Sequence, residues 1–197
     1  MRLFIAIDLP GNIKEYLKKI QSLLPDAKMS NRLCPAKRGK AKQLMPRQGG
    51  ATLTHDFHLT LKFLGSCDEK LRAKVENELK VASASFKPFE SQLTDIGTFG
   101  GRIPRVIWVG ISSPDWLKDF ARGIENRVAK FGFEKENRFT PHITLARVKE
   151  ITRPENFLKE LGKIKLEPFK FKVRQFYLFE SQLKPTGAIH VKLAVFP

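Results

Sequence analysis

One short pattern occurs twice in the chain, as His58-Leu59-Thr60-Leu61 and as His142-Ile143-Thr144-Leu145. Each copy alternates polar and apolar residues. On a β-strand that alternation sends His and Thr to one face and the two aliphatics to the other. The copies use two of the four histidines in the chain. A fold that suits this sequence therefore needs two similar strands, each burying aliphatics on one side and presenting His and Thr on the other.

The segments around the pattern repeat as well. Leu3 to Leu9 is a near-continuous apolar run ended by Pro10-Gly11, which predicts a buried strand. Ile13, Leu17, Ile20 and Leu24 recur at helical spacing and predict a helix over 11–24, ended by Pro25. The first motif strand spans Phe57 to Leu64 and stops at Gly65. A second helix is predicted over 68–84, with Asp68 as its N-cap and Leu71, Val75, Leu79 and Ala82 as its apolar stripe. Strands follow from Phe89 to Ile96 and from Arg105 to Ile111, linked by a turn-rich stretch with Gly97, Gly100, Gly101 and Pro104. A helix then begins at Ser113-Pro114-Asp115, buries Leu117, Phe120, Ile124, Val128 and Phe131, and stops at Gly132. The second motif strand runs from Pro141 to Val148. After it come a short helix over 154–162 and strands from Lys170 to Phe179 and Ala188 to Phe196, joined at Pro185-Thr186-Gly187.

The order strand, helix, motif strand, helix and two strands thus occurs twice, the strand that opens the second half being the last of the first. Matching Ile5 to Trp108 gives an offset of 103, whereas the motif histidines are offset by 84 and Phe89 and Phe169 by 80. The drop implies about 19 extra residues in the first half, where 26–50 has no apolar period and is rich in lysine and arginine. Residues 28–50 read as a basic insertion on a duplicated scaffold, serving as a solvated loop or as an added contacting arm. A pseudo-twofold axis would bring the two motif strands together across a cleft.

The 197 residues suit one domain of two intimate lobes, and the 42% apolar content is ordinary for a globular chain. The charge is not ordinary: 36 Lys and Arg against 20 Asp and Glu give a formal +16. Such a surplus points to a polyanionic partner, nucleic acid first among them. Cys34 and Cys67 form no metal-type cluster, which together with the lack of a signal-like N-terminus suggests a reduced, cytoplasmic protein. No apolar stretch approaches the roughly 20 residues of a membrane span, so no membrane partner is expected.

Two histidines facing one substrate can serve as general base and general acid, because an imidazole pKa near 6.5 lets one ring be neutral while the other is protonated. The adjacent threonine hydroxyls can donate to a developing oxyanion. With a basic surface, this set suits phosphodiester cleavage. A metal centre fits less well, since no carboxylate recurs at fixed spacing in both copies, and no Gly-rich phosphate loop precedes a lysine.

At this point the motifs carry a resemblance. His58-Leu59-Thr60-Leu61-Lys62-Phe63-Leu64-Gly65 and Pro141-His142-Ile143-Thr144-Leu145-Ala146-Arg147 resemble the paired motifs of the two-histidine (2H) phosphoesterases. Arg2 to Pro10, Arg105-Val106-Ile107-Trp108 and Phe179-Glu180-Ser181 are similar to the branch of RNA 2′,3′-cyclic phosphodiesterases, also called 2′-5′ RNA ligases. The resemblance implies an α+β, bilobal duplicated fold: two antiparallel sheets facing a central cleft, helices packed outside, the whole pseudo-twofold symmetric and spanning 1–197 as a single domain. It implies hydrolysis of RNA 2′,3′-cyclic phosphodiester ends to 2′-phosphomonoesters without metal or other cofactor. The alternatives are 2′-5′ RNA ligation by the same residues, or a non-catalytic RNA-binding protein. The partner would be RNA with 2′,3′-cyclic phosphate ends, tRNA fragments included, bound by a monomer.

Carried over by position, His58 resembles the proton donor to the departing O3′ and His142 the proton acceptor from water, although a pseudo-symmetric site can run either way. Thr60 and Thr144 resemble phosphate-oxygen donors, Arg147 an arginine contacting phosphate and base, and Phe63 an aromatic contacting ribose or base. Phe63 and Arg147 each lie five residues after their histidine, so strict alternation points them away from the cleft; a shared bulge or strand end would turn both inward. A core position is the alternative for Phe63. Lys62 has the parity of the histidine and reads as electrostatic support. His55 reads as exposed and His190 as structural.

Overall fold

A computed structural model describes residues 1–25, 51–136, 138–184 and 187–197. The insertion expected at 28–50 and the turn expected at 185–186 lie outside the described residues. Within the described residues, nine strands and four helices alternate along the chain. The strands are β1 (Arg2–Asp8), β2 (Ala51–Leu53), β3 (His58–Ser66), β4 (Phe89–Phe99), β5 (Val106–Ile111), β6 (His142–Val148), β7 (Lys170–Val173), β8 (Phe176–Lys184) and β9 (Gly187–Phe196). The helices are α1 (Gly11–Ser22), α2 (Glu69–Ser83), α3 (Trp116–Ala129) and α4 (Pro154–Leu161).

Every strand pairing among them is antiparallel. The order is β7-β4-β5-β6-β3-β1-β8-β9, with β2 added against β6. This is a duplicated, curled antiparallel sheet. β5 lies between β4 and β6 as β1 lies between β8 and β3, and β3 meets β6 through one pair of described residues, Leu59 with Ile143. The two sheets expected around a cleft are thus halves of one nine-stranded sheet, hinged where the motif strands touch.

The apolar alternation explains the layering. On β1, Leu3, Ile5 and Ile7 enter the main core with Ile13, Leu17 and Ile20 of α1, while Phe4 and Ala6 face the other way and pack with Phe179 of β8. Leu117, Ile124 and Val128 give α3 the corresponding buried stripe. α2 starts as its sequence predicts, with the Asp68 carboxylate accepting from Leu71 N at 2.7 Å. Such a cap is worth about 1 kcal/mol.

Three sequence expectations need correction. Thr60 pairs with Ala6 and Thr144 with Trp108, so the true counterpart of Trp108 is Ala6 and the offset is 102. The first half is therefore longer by about 18 residues. The strand expected over 170–179 is two strands, broken at Arg174 and Gln175 as the chain passes from the β4 edge to β1. Lys62 does not face the cleft. It is 3% exposed, and its Nζ donates to Glu134 O at 2.7 Å and pairs with Glu125 at 3.0 Å and Glu136 at 3.3 Å.

Candidate active site

The burial of the two motif strands is identical from the histidine onward: half-buried His, buried aliphatic, half-buried Thr, two buried residues, one exposed residue, one buried. The repeat breaks strict alternation at the same place in both. Ala6 and Ile5 pair with Thr60 and Lys62, skipping Leu61; Trp108 and Ile107 pair with Thr144 and Ala146, skipping Leu145. These matched bulges reverse the phase of the residues after them. Lys62 and Ala146 turn into the core, and Phe63 and Arg147 turn to the side of the histidines. Phe63 is 52% exposed, not a core residue. The second bulge is anchored: the Leu145 carbonyl accepts from Thr54 N at 2.9 Å and from Gln21 Nε2 at 2.7 Å.

Leu59 and Ile143 point into the core, so the histidines and threonines lie on the opposite face of the sheet. Extending the Leu59–Ile143 register by one residue each way sets His58 across from Thr144 and Thr60 across from His142. The two histidines are then diagonal neighbours, a relation that separates Cα atoms by about 7–8 Å in a regular sheet. A cavity of about 660 Å³ opens on this face. His58, Thr60, Phe63, Thr144 and Arg147 line it, together with residues that sequence reasoning did not select, among them Arg2, Phe4, Thr52, Asp56 and His190. His142 is not among the lining residues. Its ring packs edge-on against Phe99 at 4.9 Å and near Trp108 at 6.3 Å.

Both rings are oriented by the same device. His58 Nδ1 is 2.9 Å from Asp56 O, and His142 Nδ1 is 2.7 Å from Thr140 O, each carbonyl lying two residues upstream. A carbonyl only accepts, so Nδ1 carries hydrogen in both rings and Nε2 is left for substrate. Burial pulls both imidazoles below their usual range. His58 falls to about 4, through burial first and then through the charge of His190. His142 is lowered by burial, with Arg147 adding to the effect. Among the described residues, no three His, Cys, Asp or Glu side chains are grouped to hold a metal ion, and no helix is long and apolar enough to cross a membrane.

The family model for "LigT like Phosphoesterase" matches the chain twice, over residues 38–108 and 109–190. The chain belongs to the LigT-like phosphoesterase family. Each match carries one histidine motif, as the duplication requires. Among curated relatives of this family, the RNA 2′,3′-cyclic phosphodiesterase of Methanocaldococcus jannaschii is 32% identical over 192 residues, covering 96% of each chain. That of Archaeoglobus fulgidus is 31% identical over 199 residues, covering 100% of this chain and 99% of its own. Among solved structures, TT0787 of Thermus thermophilus superposes with a TM-score of 0.72 at 25% identity, covering 100% of this chain and 97% of its own. Escherichia coli LigT in apo form gives 0.68 at 23% identity over 98% and 95% of the chains, a likeness of fold.

Asp56 and Thr140 hold the histidines through main-chain carbonyls, which any residue supplies. His190 reaches the LigT-like site from β9, far from either motif. His55 is exposed as expected, but it lines the cavity.

Proposed function

We propose that this protein hydrolyses RNA 2′,3′-cyclic phosphodiester ends to 2′-phosphomonoesters, using His58 and His142 as an acid–base pair without a metal. The observation that carries this reading is the shared anchoring of the two rings: each Nδ1 is held by a carbonyl, leaving two Nε2 atoms on one face of the sheet beside two threonine hydroxyls. The names of the relatives, RNA 2′,3′-cyclic phosphodiesterases over nearly the full chain, support the substrate class. The net charge of +16 suits an RNA end.

In the proposed reaction His142 takes a proton from water as its oxygen bonds to phosphorus, the P–O3′ bond breaks, and His58 delivers a proton to O3′. Thr60 and Thr144 donate to the non-bridging oxygens, where charge accumulates. Arg147 contacts the phosphate, and exposed Phe63 offers a stacking face to ribose or base. With burial holding His58 near 4, its ring is neutral around pH 7. The anionic phosphodiester must restore the proton before His58 can donate it, which an adjacent negative charge does by favouring the imidazolium.

The test is incubation of the full chain with a 2′,3′-cyclic nucleotide in EDTA, followed by product identification. Turnover to a 2′-phosphate is expected. A 3′-phosphate product, or activity only when metal is restored, would overturn the mechanism.

A further inference from the structure

His58 and His142 share their backbone anchor but not their neighbours. His190 lies on β9 opposite Ser181 of β8 and brings a third imidazole to the cavity wall. Its ring meets His58 edge to face, with centroids 4.9 Å apart, and meets Phe4 at 4.8 Å. Its Nδ1 is buried and makes no aligned hydrogen bond among the described residues, yet lies 3.3 Å from Asp56 Oδ2. Asp56 therefore serves two rings: its main-chain carbonyl takes the Nδ1–H of His58, and its carboxylate faces His190. That carboxylate also pairs with Lys14 at 3.3 Å; Lys14 reaches Asp8 at 2.5 Å, and Asp8 reaches Lys192 at 2.5 Å.

Among the described residues, no second imidazole stands beside His142, and the charges acting on its ring are those of Arg147 and Glu136. The position matching Asp56 is Thr140, the position matching Asp8 is Gly110, and the ring is flanked by Phe99 and Trp108.

We propose that His190 is a positioning residue for His58: with Asp56 it forms an imidazole–carboxylate pair against the ring of the first lobe alone, which gives two symmetry-related histidines different proton affinities. This rests on reading His58 and His142 as the acid–base pair. A positive charge on the His190 ring, whose centroid lies 4.9 Å from that of His58, disfavours a second one on His58. Lys14 acts in the same direction on His58, and Asp56 opposes both. Arg2, His55 and Arg147 complete the charged and titratable groups around the cavity, with Asp8 and Lys192 further along the chain of ion pairs. All of these remain in place when only residue 190 changes.

The test is NMR titration of the imidazoles of His58 and His142 in the full chain. His190→Gln should raise the His58 midpoint by about one pH unit and leave His142 unmoved. His190→Lys, which restores a cation, should bring His58 back towards the wild-type value; a purely structural role would not follow charge in this way. An unmoved His58 midpoint in the glutamine variant, or equal movement of both rings, overturns the proposal. In the wild-type chain, coupling to His190 should give His58 a two-step titration curve; a simple one-step curve for both rings overturns it even if neither variant folds. The titration needs no turnover. A chain inactive on cyclic phosphates but showing the shift would sink the proposed reaction and leave this coupling standing.

Discussion

The two lobes present the same strand with the same burial, the same bulge and the same carbonyl-anchored histidine, yet they surround that histidine with different chemistry. Around His58 are Phe4 stacked on Phe179 at 5.0 Å, a third histidine, and a chain of ion pairs from Asp56 to Lys192. Around His142 are Phe99, Trp108 and a backbone stripped of side chains at Gly97 and Gly110. In the proposed reaction one of these equivalent positions activates water and the other protonates the leaving group, so the two must differ, and their neighbours do differ.

The largest effect should come from the histidines themselves. His58→Ala and His142→Ala should each lower turnover of a 2′,3′-cyclic nucleotide by about 10²–10⁴-fold with unchanged circular dichroism. The roles separate with a substrate whose bridging 3′-oxygen is sulfur, because a thiolate departs without needing a proton. It should restore turnover to the variant lacking the acid, His58→Ala, and not to the variant lacking the base, His142→Ala. Rescue of the other variant would reverse the assignment; rescue of neither would break the acid–base reading.

Lys62 and Ala146 occupy the same position after the bulge, one charged and one not. Lys62→Ala leaves Glu125, itself largely buried, without its 3.0 Å partner. The loss of a buried pair partner costs about 3 kcal/mol, to be read from the denaturant midpoint. If the variant is as stable as the wild type, the lysine is no more structural than its alanine counterpart.

Much of this arrangement was legible in the sequence. The motif alternation marked the two strands, their shared face and the duplication, because period-two burial is a local property. The bulge was legible only as a conflict: Phe63 and Arg147 fell out of phase, and matched positions in the repeat hinted that one irregularity turned both. The fate of Lys62 was not legible, since parity assigns a face only if the strand is regular. Neither were His190, which depends on β8–β9 pairing far from either motif, and β2, which comes after a stretch without apolar period. Long-range pairing decides these, and no local pattern encodes it.

Gly97 tests the second lobe. A Cβ there would collide with the six-membered ring of Trp108, so the indole lies directly over the glycine backbone. Gly97→Ala should push the ring off and cost about 1–3 kcal/mol. It should also lower turnover through the wall beside His142, without moving the titration of His58. If stability is lost and turnover kept, Trp108 packs the lobe without shaping the site.

The smallest effect is one of slope. A histidine held neutral in the folded state binds its proton more readily in the unfolded chain. Between the unfolded value near 6.5 and the folded value of about 4 for His58, stability therefore rises with pH and is lost as pH falls. One proton of difference gives a slope of at most about 1.4 kcal/mol per pH unit. His58→Gln should flatten the stability profile between pH 6 and 5. His142→Gln should flatten it less, because burial depresses that ring less strongly. Asp8 and Asp56 do not mask this window. Although burial alone would raise them, their cationic partners hold them below the ordinary 3.8, so they contribute above that value and lose their contribution only at lower pH. Equal flattening by the two glutamine variants, measured by denaturant unfolding at each pH, would mean that the unlike neighbours leave the two rings electrostatically alike.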